Sequence, residues 1–165
     1  MNTRTITFQT IEDFHEGIKT AHVDINGFYR FDISEINGQF RAGIGKPALL
    51  LEAPSSQLQS RTNMVSNFNR RNISFLIIDH AGAADNYARK SDVLTQTEGI
   101  ALDVISYLVK CAKDPSHWLF GKFDINSVAV EKVGPLFDNY HGWNVLYEIT
   151  AQETMCFVPE KWNFT

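Results

Sequence analysis

The pattern over residues 91–114 constrains this chain most. Val93, Leu94, Ala101, Ile105, Leu108 and Ala112 recur at helical spacing, and Ile100 and Val104 widen the apolar stripe. Ser91 or Asp92 opens the run, and Asp114 followed by Pro115 closes it. Acidic Asp92 and Glu98 stand early while Lys110 and Lys113 stand late, the order that the helix dipole favours. Twenty-odd residues at 1.5 Å each give a rod of ~30 Å. With one apolar face, such a rod needs a layer of comparable length to lie on.

Strand-like segments supply that layer. Residues 47–53 (Pro-Ala-Leu-Leu-Leu-Glu-Ala) and 72–79 (Asn-Ile-Ser-Phe-Leu-Ile-Ile-Asp) are apolar on both alternating faces, as central strands are. Residues 124–133 and 142–150 read as two more strands, with Gly134-Pro135 and residues 138–142 marking the connection. In the last, Trp143, Val145, Tyr147 and Ile149 face one way and Asn144, Leu146, Glu148 and Thr150 the other, the signature of a half-solvated antiparallel strand. Ahead of them, Thr10 as N-cap with Asp13 three positions on predicts a short helix over 10–22, its apolar face made by Ile11, Phe14, Ile18 and Ala21. Two Asn-Gly pairs, Asn26-Gly27 and Asn37-Gly38, predict a small hairpin or an irregular arm over 26–46.

Because the strands come in pairs instead of alternating with helices, the expected class is α+β. The expected form is a four-stranded, mainly antiparallel sheet with the long helix packed across one face, plus the short N-terminal helix and a long inter-strand loop. A chain of 165 residues buries enough surface to need no disulfide or metal staple. Residues 1–165 are read as a single domain, with 1–9 and 156–165 as peripheral arms.

The long loop, 54–71, is mostly Ser, Asn, Gln and Arg. A structureless connection of that length is unusual in a compact domain, so it is expected to be functional or an extended hairpin projecting from the body. Arg61, Arg70 and Arg71 give a local positive cluster suited to an acidic partner surface or passing DNA. Met64, Val65 and Phe68 fit better against a neighbour than on a free loop. Residues 157–164, with Phe157, Trp162 and Phe164, likewise need a surface, their own or a partner's.

Catalytic and ligand-binding signatures are weak. Gly43-Ile44-Gly45-Lys46 fails as a phosphate loop, since Pro47 stands where Ser or Thr belongs and a strand follows. His15-Glu16 begins like a zinc-protease motif, but Lys19 occupies the place of the second His; His15 and His22 are seven apart without a third ligand nearby. His117 and His141 stand in turn-rich segments, Asp138 is a lone turn acid, and Asp103 is read as solvent-facing on the long helix. Cys111 and Cys156 are read as reduced, Cys111 as a small core residue. No cofactor or metal is expected. The one enzymatic alternative is a small α+β hydrolase or ligand-binding enzyme using Asp79 and His80 at a strand end, with His141.

The charge balance of 15 Lys and Arg against 19 Asp and Glu, net −4, argues against binding nucleic acid through bulk charge. No apolar run approaches the ~18 residues of a bilayer span. The polar start, Met-Asn-Thr-Arg-Thr, lacks the apolar stretch of a signal peptide, so synthesis in the cytosol is expected.

The order of N-terminal helix, strand, long polar loop, strand, long helix and two closing strands resembles the small tail-terminator or tail-completion proteins of tailed bacteriophages and related contractile injection particles, over roughly residues 10–150. Residues 133–149, Val-Gly-Pro-Leu-Phe-Asp-Asn-Tyr-His-Gly-Trp-Asn-Val-Leu-Tyr-Glu-Ile, are similar to the closing hairpin of phage neck and tail structural proteins. The resemblance implies a non-enzymatic virion protein, assembled in the host cytoplasm, whose copies form a ring, commonly hexameric. Such a ring caps the tail tube and meets the head-side connector, with DNA passing through its lumen and no membrane involved. It also implies that Arg61, Met64, Phe68, Arg70, Arg71 and Trp162 belong to a subunit or tail-tube interface. The first nine residues and the aromatic tail from Cys156 have no counterpart in it.

Overall fold

The computed structural model describes residues 6–30, 45–60, 67–136, 139–153, 157 and 159–163. Asn37-Gly38, Gly43, Arg61, Met64, Val65, Asp138, Cys156 and Phe164 lie outside them.

Helix α1 (Phe8–Ala21) starts earlier than expected, and its cap is Thr7 instead of Thr10. Thr7 Oγ1 accepts from the Thr10 N–H at 3.1 Å while Thr10 Oγ1 accepts from the Thr7 N–H at 3.3 Å, a reciprocal box in which a Thr does the work usually given to Glu. Ile6, just outside the helix, is fully buried and belongs to the core. Strand β1 (Gly27–Arg30) runs parallel to β2 (Ala48–Leu51). Asn26-Gly27 therefore makes no hairpin here. The Asn26 N–H donates to the Pro47 carbonyl at 2.8 Å and its side-chain amide to the Lys46 carbonyl at 2.6 Å, which clamps the start of one strand to the start of the other. Arg30 Nε lies 2.8 Å from buried Glu12 and ties β1 to α1.

Within 54–71, read as a functional loop or an extended hairpin, the described residues 55–60 and 67–71 are paired strands. Strand β3 (Ser55–Ser60) pairs antiparallel with the first half of β4 (Asn67–His80), Ser55 opposite Asn72. Strand β2 pairs with the second half of β4 on the same edge, Leu51 opposite Phe75. The Glu52 N–H still donates to the Ser74 carbonyl at 3.0 Å, so Ala53 and Pro54 together oppose the single residue Ile73. That is a one-residue bulge, and Pro54, which has no N–H to offer, sits where the ladder asks for none.

Helix α2 (Tyr87–Lys113) is capped by Asn86, whose Oδ1 accepts from the Arg89 N–H at 3.0 Å. Its first turn, Tyr-Ala-Arg-Lys, carries no apolar period, so the pattern showed the helix only from Ser91 onward. Strand β5 (Phe123–Leu136) leads to β6 (Tyr140–Glu153), and β6 pairs along its whole length with β4. A 3-10 turn (Pro159–Lys161) follows. The sheet is thus mixed and six-stranded, in the order β1-β2-β4-β6-β5 with β3 also on β4, and not four-stranded. The fourteen-residue β4 and β6 extend ~46 Å at 3.3 Å per residue, a match for the ~40 Å of α2.

Helices α1 and α2 lie on one face. There Leu49, Phe75, Ile77, Leu108, Val145 and Ile149 form the main core, which includes Cys111 as expected. Trp143 Nε1 donates to the Leu94 carbonyl at 2.9 Å and pins β6 to α2. A second cluster, Ala48, Leu50, Leu76, Ile78 and Tyr140, lies on the opposite face. Among the described residues no helix is long and apolar enough to cross a membrane.

Candidate docking surface

Residues directly opposite one another in antiparallel strands project to the same side of the sheet. On the side away from the helices, the sheet divides into two halves. Around Ile78 that side is closed by the second cluster. Toward the other end it carries Gln57, Gln59, Phe68, Arg70, Asn72, Glu148, Thr150 and Gln152, all exposed or half-exposed. Residues 55–59 are all exposed, and among the described residues no strand pairs with the outer edge of β3. The result is a polar platform bounded by an open strand edge.

The predicted interface residues fall partly on it. Phe68 and Arg70 lie on the platform, Phe68 opposite Gln59 and Gln152. Arg70 is ion-paired through Nε with Glu148, and that partner was invisible to local reading because it stands 78 positions away, 148 − 70. Arg71 points to the helix side, where Nη2 donates to the Ile6 carbonyl at 2.9 Å. Strand alternation therefore splits the two adjacent arginines, and no joint positive cluster of Arg70 and Arg71 forms. Trp162, past the end of β6, is exposed and stacked on Phe157 at 5.9 Å. Arg61 and Met64 fall outside the described residues.

Asp79 and His80 diverge in the same way. Asp79 is buried on the helix side opposite His141; its carboxylate accepts from the His80 N–H at 2.7 Å and stands 3.5 Å from Arg89. His80 turns to the other side, against the Tyr140 ring at 5.2 Å. His141 donates from Nε2 to Asn139 Oδ1 at 2.9 Å, and its buried Nδ1 has no hydrogen-bond partner among the described residues. Gly134, at φ 113°, faces that nitrogen, and any Cβ there would lie 2.6 Å from it. Burial, and then the nearby Lys90 and Lys132, hold His141 below its ordinary pKa.

The other histidines do not converge either. His15 is in the core, whereas His22 ends α1 with Nε2 3.5 Å from Asp103, which is solvent-exposed as expected. His117 packs against Phe14 at 5.4 Å. Among the described residues no three His, Cys, Asp or Glu side chains gather to hold a metal ion. Lys46, considered for phosphate, lies 5.3 Å over the Tyr140 ring. One concavity had no signal in the sequence: a cavity of about 110 Å³ between α1 and α2, lined by Ile18, Ala21, His22, Asp103, Val104 and Tyr107.

No protein-family model matches this sequence, and no curated protein sequence matches it. What the chain does is therefore read from these surfaces.

Proposed function

We propose that this chain is a structural virion protein, a tail-terminator or tail-completion subunit of a phage-like particle. Its copies close into a ring, a hexamer, that caps the tail tube and joins it to the head-side connector, with DNA passing through the lumen. The observation that carries this reading is the division of the sheet, closed on both sides around Ile78 and open on one side and one edge around β3. A polar half-sheet with an exposed edge strand has the hydrogen-bonding capacity of an assembly surface. Phe68 and Arg70 lie on it. Arg61 and Met64, in the segment joining β3 to β4, and Trp162, beyond β6, are assigned to the same subunit or tube interface, while Arg71 braces the strand behind it.

The hydrolase alternative has less support. The Asp79 carboxylate is taken up by Arg89 and a backbone N–H, and His80 stands on the other side of the sheet.

A head-to-tail contact generates a ring only if its rotation closes, so the tube is expected to template closure. Light scattering and negative-stain microscopy of the purified chain, alone and with the tail-tube protein of its particle, test this. Closed rings on the tube are expected; no association with the tube and no ring in either sample would end the reading.

A further inference from the structure

We infer that the open edge of β3 pairs with β3 of a second copy, antiparallel, about a two-fold axis centred on Leu58. An exposed edge strand is a template for pairing, and natural sheets usually guard it with Lys, Pro or inward-pointing charge. Residues 55–60 read Ser-Ser-Gln-Leu-Gln-Ser and carry none of these. Pro54 stands just before the strand, at the bulge, and leaves the edge unblocked.

The occupant is indicated by the order of the residues. Residues 56–60, Ser-Gln-Leu-Gln-Ser, read the same in both directions. Laid antiparallel on itself about Leu58, the strand sets Ser56 opposite Ser60, Gln57 opposite Gln59, and Leu58 opposite Leu58. A two-fold contact makes each of these pairings twice with the same residue types, as self-complementary surfaces must.

The sides of the strand agree with this pairing. Gln57 and Gln59 share the polar platform, where opposed carboxamides can exchange hydrogen bonds across the axis. Leu58 lies on the helix side, 54% exposed, and is the one apolar side chain of the strand; pairing covers it with its own copy. Residues 55–60 themselves carry no charged side chain to oppose the approach of the two edges. The two sheets then continue through each other as β6-β4-β3 followed by β3-β4-β6 of the second copy.

A contact of five residues per copy, 56–60, is smaller than the interfaces that hold permanent dimers, so the dimer is weak and concentration-dependent. It is two-fold, whereas a ring contact is head-to-tail. The inference does not rest on the ring reading, and either can fail alone.

The experiment uses the full chain with Cys156→Ser, keeping buried Cys111. Opposed positions on antiparallel strands have Cβ atoms about 4.5–5.5 Å apart, close enough for a disulfide with slight adjustment. Under mild oxidation Leu58→Cys is expected to give a reducible covalent dimer, at least tenfold faster than Ser56→Cys. Position 56 lies on the same side of the same exposed strand but four residues from its own counterpart across the axis. Sedimentation of the chain without added cysteines should show a dimer that grows with concentration and that Leu58→Lys abolishes. Equal cross-linking of the two cysteine variants, a strict monomer at every concentration, or a self-association indifferent to Leu58→Lys would each overturn the inference.

Discussion

The Tyr147 hydroxyl donates to His15 Nε2 at 3.2 Å, joining β6 to α1 across 132 positions of sequence in the middle of the core. His15 Nδ1–H donates to the Ile11 carbonyl at 2.7 Å, which leaves Nε2 as the acceptor. Burial pushes His15 down to about 4, against the smaller upward pull of the Ile11 bond, and it raises the Tyr147 hydroxyl well above its ordinary value. The fold therefore holds a neutral imidazole of one fixed tautomer.

This sets a pH dependence. The unfolded chain takes up a proton near pH 6.5 that the folded chain accepts only near 4, so stability falls as pH drops through that window. The contribution is complete above pH 6.5 and is lost by about pH 4, about 3 kcal/mol in all. Urea unfolding at pH 7 and pH 4.5 should show the loss, and in His15→Phe the slope between them should be distinctly shallower. An unchanged slope would assign the pH dependence to other groups.

Two glycine substitutions should move stability in opposite directions. Gly142 sits in β6 against β4, and a Cβ there would fall on the Ile77 carbonyl oxygen, backbone that cannot step aside. Gly142→Ala is expected to cost about 3 kcal/mol. Gly99 is on the exposed face of α2 with nothing within 4 Å of a new Cβ, so Gly99→Ala should stabilise by about 0.5–1 kcal/mol. Thermal unfolding of the two variants beside the parent chain checks both signs.

On the platform, Arg70→Glu faces Glu148 with like charge, and restoring the pair as Arg70→Glu with Glu148→Arg should recover stability. The pair is partly exposed, so each single change is expected to shift unfolding by less than about 1 kcal/mol. Ring formation on the tube should nevertheless drop in Arg70→Glu if this half of the sheet is the assembly surface. Normal rings in that variant would move the contact elsewhere.

Asp79→Asn with His80→Gln should leave assembly intact, because neither side chain reaches the platform. The cost is a weakened contact to Arg89, visible as a modest fall in the unfolding midpoint. If the parent chain hydrolyses generic ester or phosphoester substrates and the double variant does not, the enzymatic alternative gains the site that it now lacks.

The parts of this fold that were legible in the sequence are those that carry their own pattern. Val93 through Leu108 showed α2, and the alternation from Trp143 to Ile149 correctly assigned the core side of β6. Strand β3 has no such alternation, since Ser and Gln are held in place by pairing with β4 instead of by burial. Strand β1 pairs with a segment some twenty positions on, and parallel pairing has no local turn to announce it. Of the residues assigned to an interface, Phe68 and Arg70 share the platform, but the adjacency of Arg70 and Arg71 misled because a strand sends neighbours to opposite sides. His15 looked like a poor metal ligand; its role in the core depends on Tyr147, which no spacing rule connects to it.

The bulge at Ala53 and Pro54 works as a phase shifter. Before it, even-numbered residues face away from the helices; after it, odd-numbered ones do. Without that extra residue the strand would keep one parity throughout: Gln57 and Gln59 would turn to the helix side, and Ser56 and Leu58 would take their places on the platform.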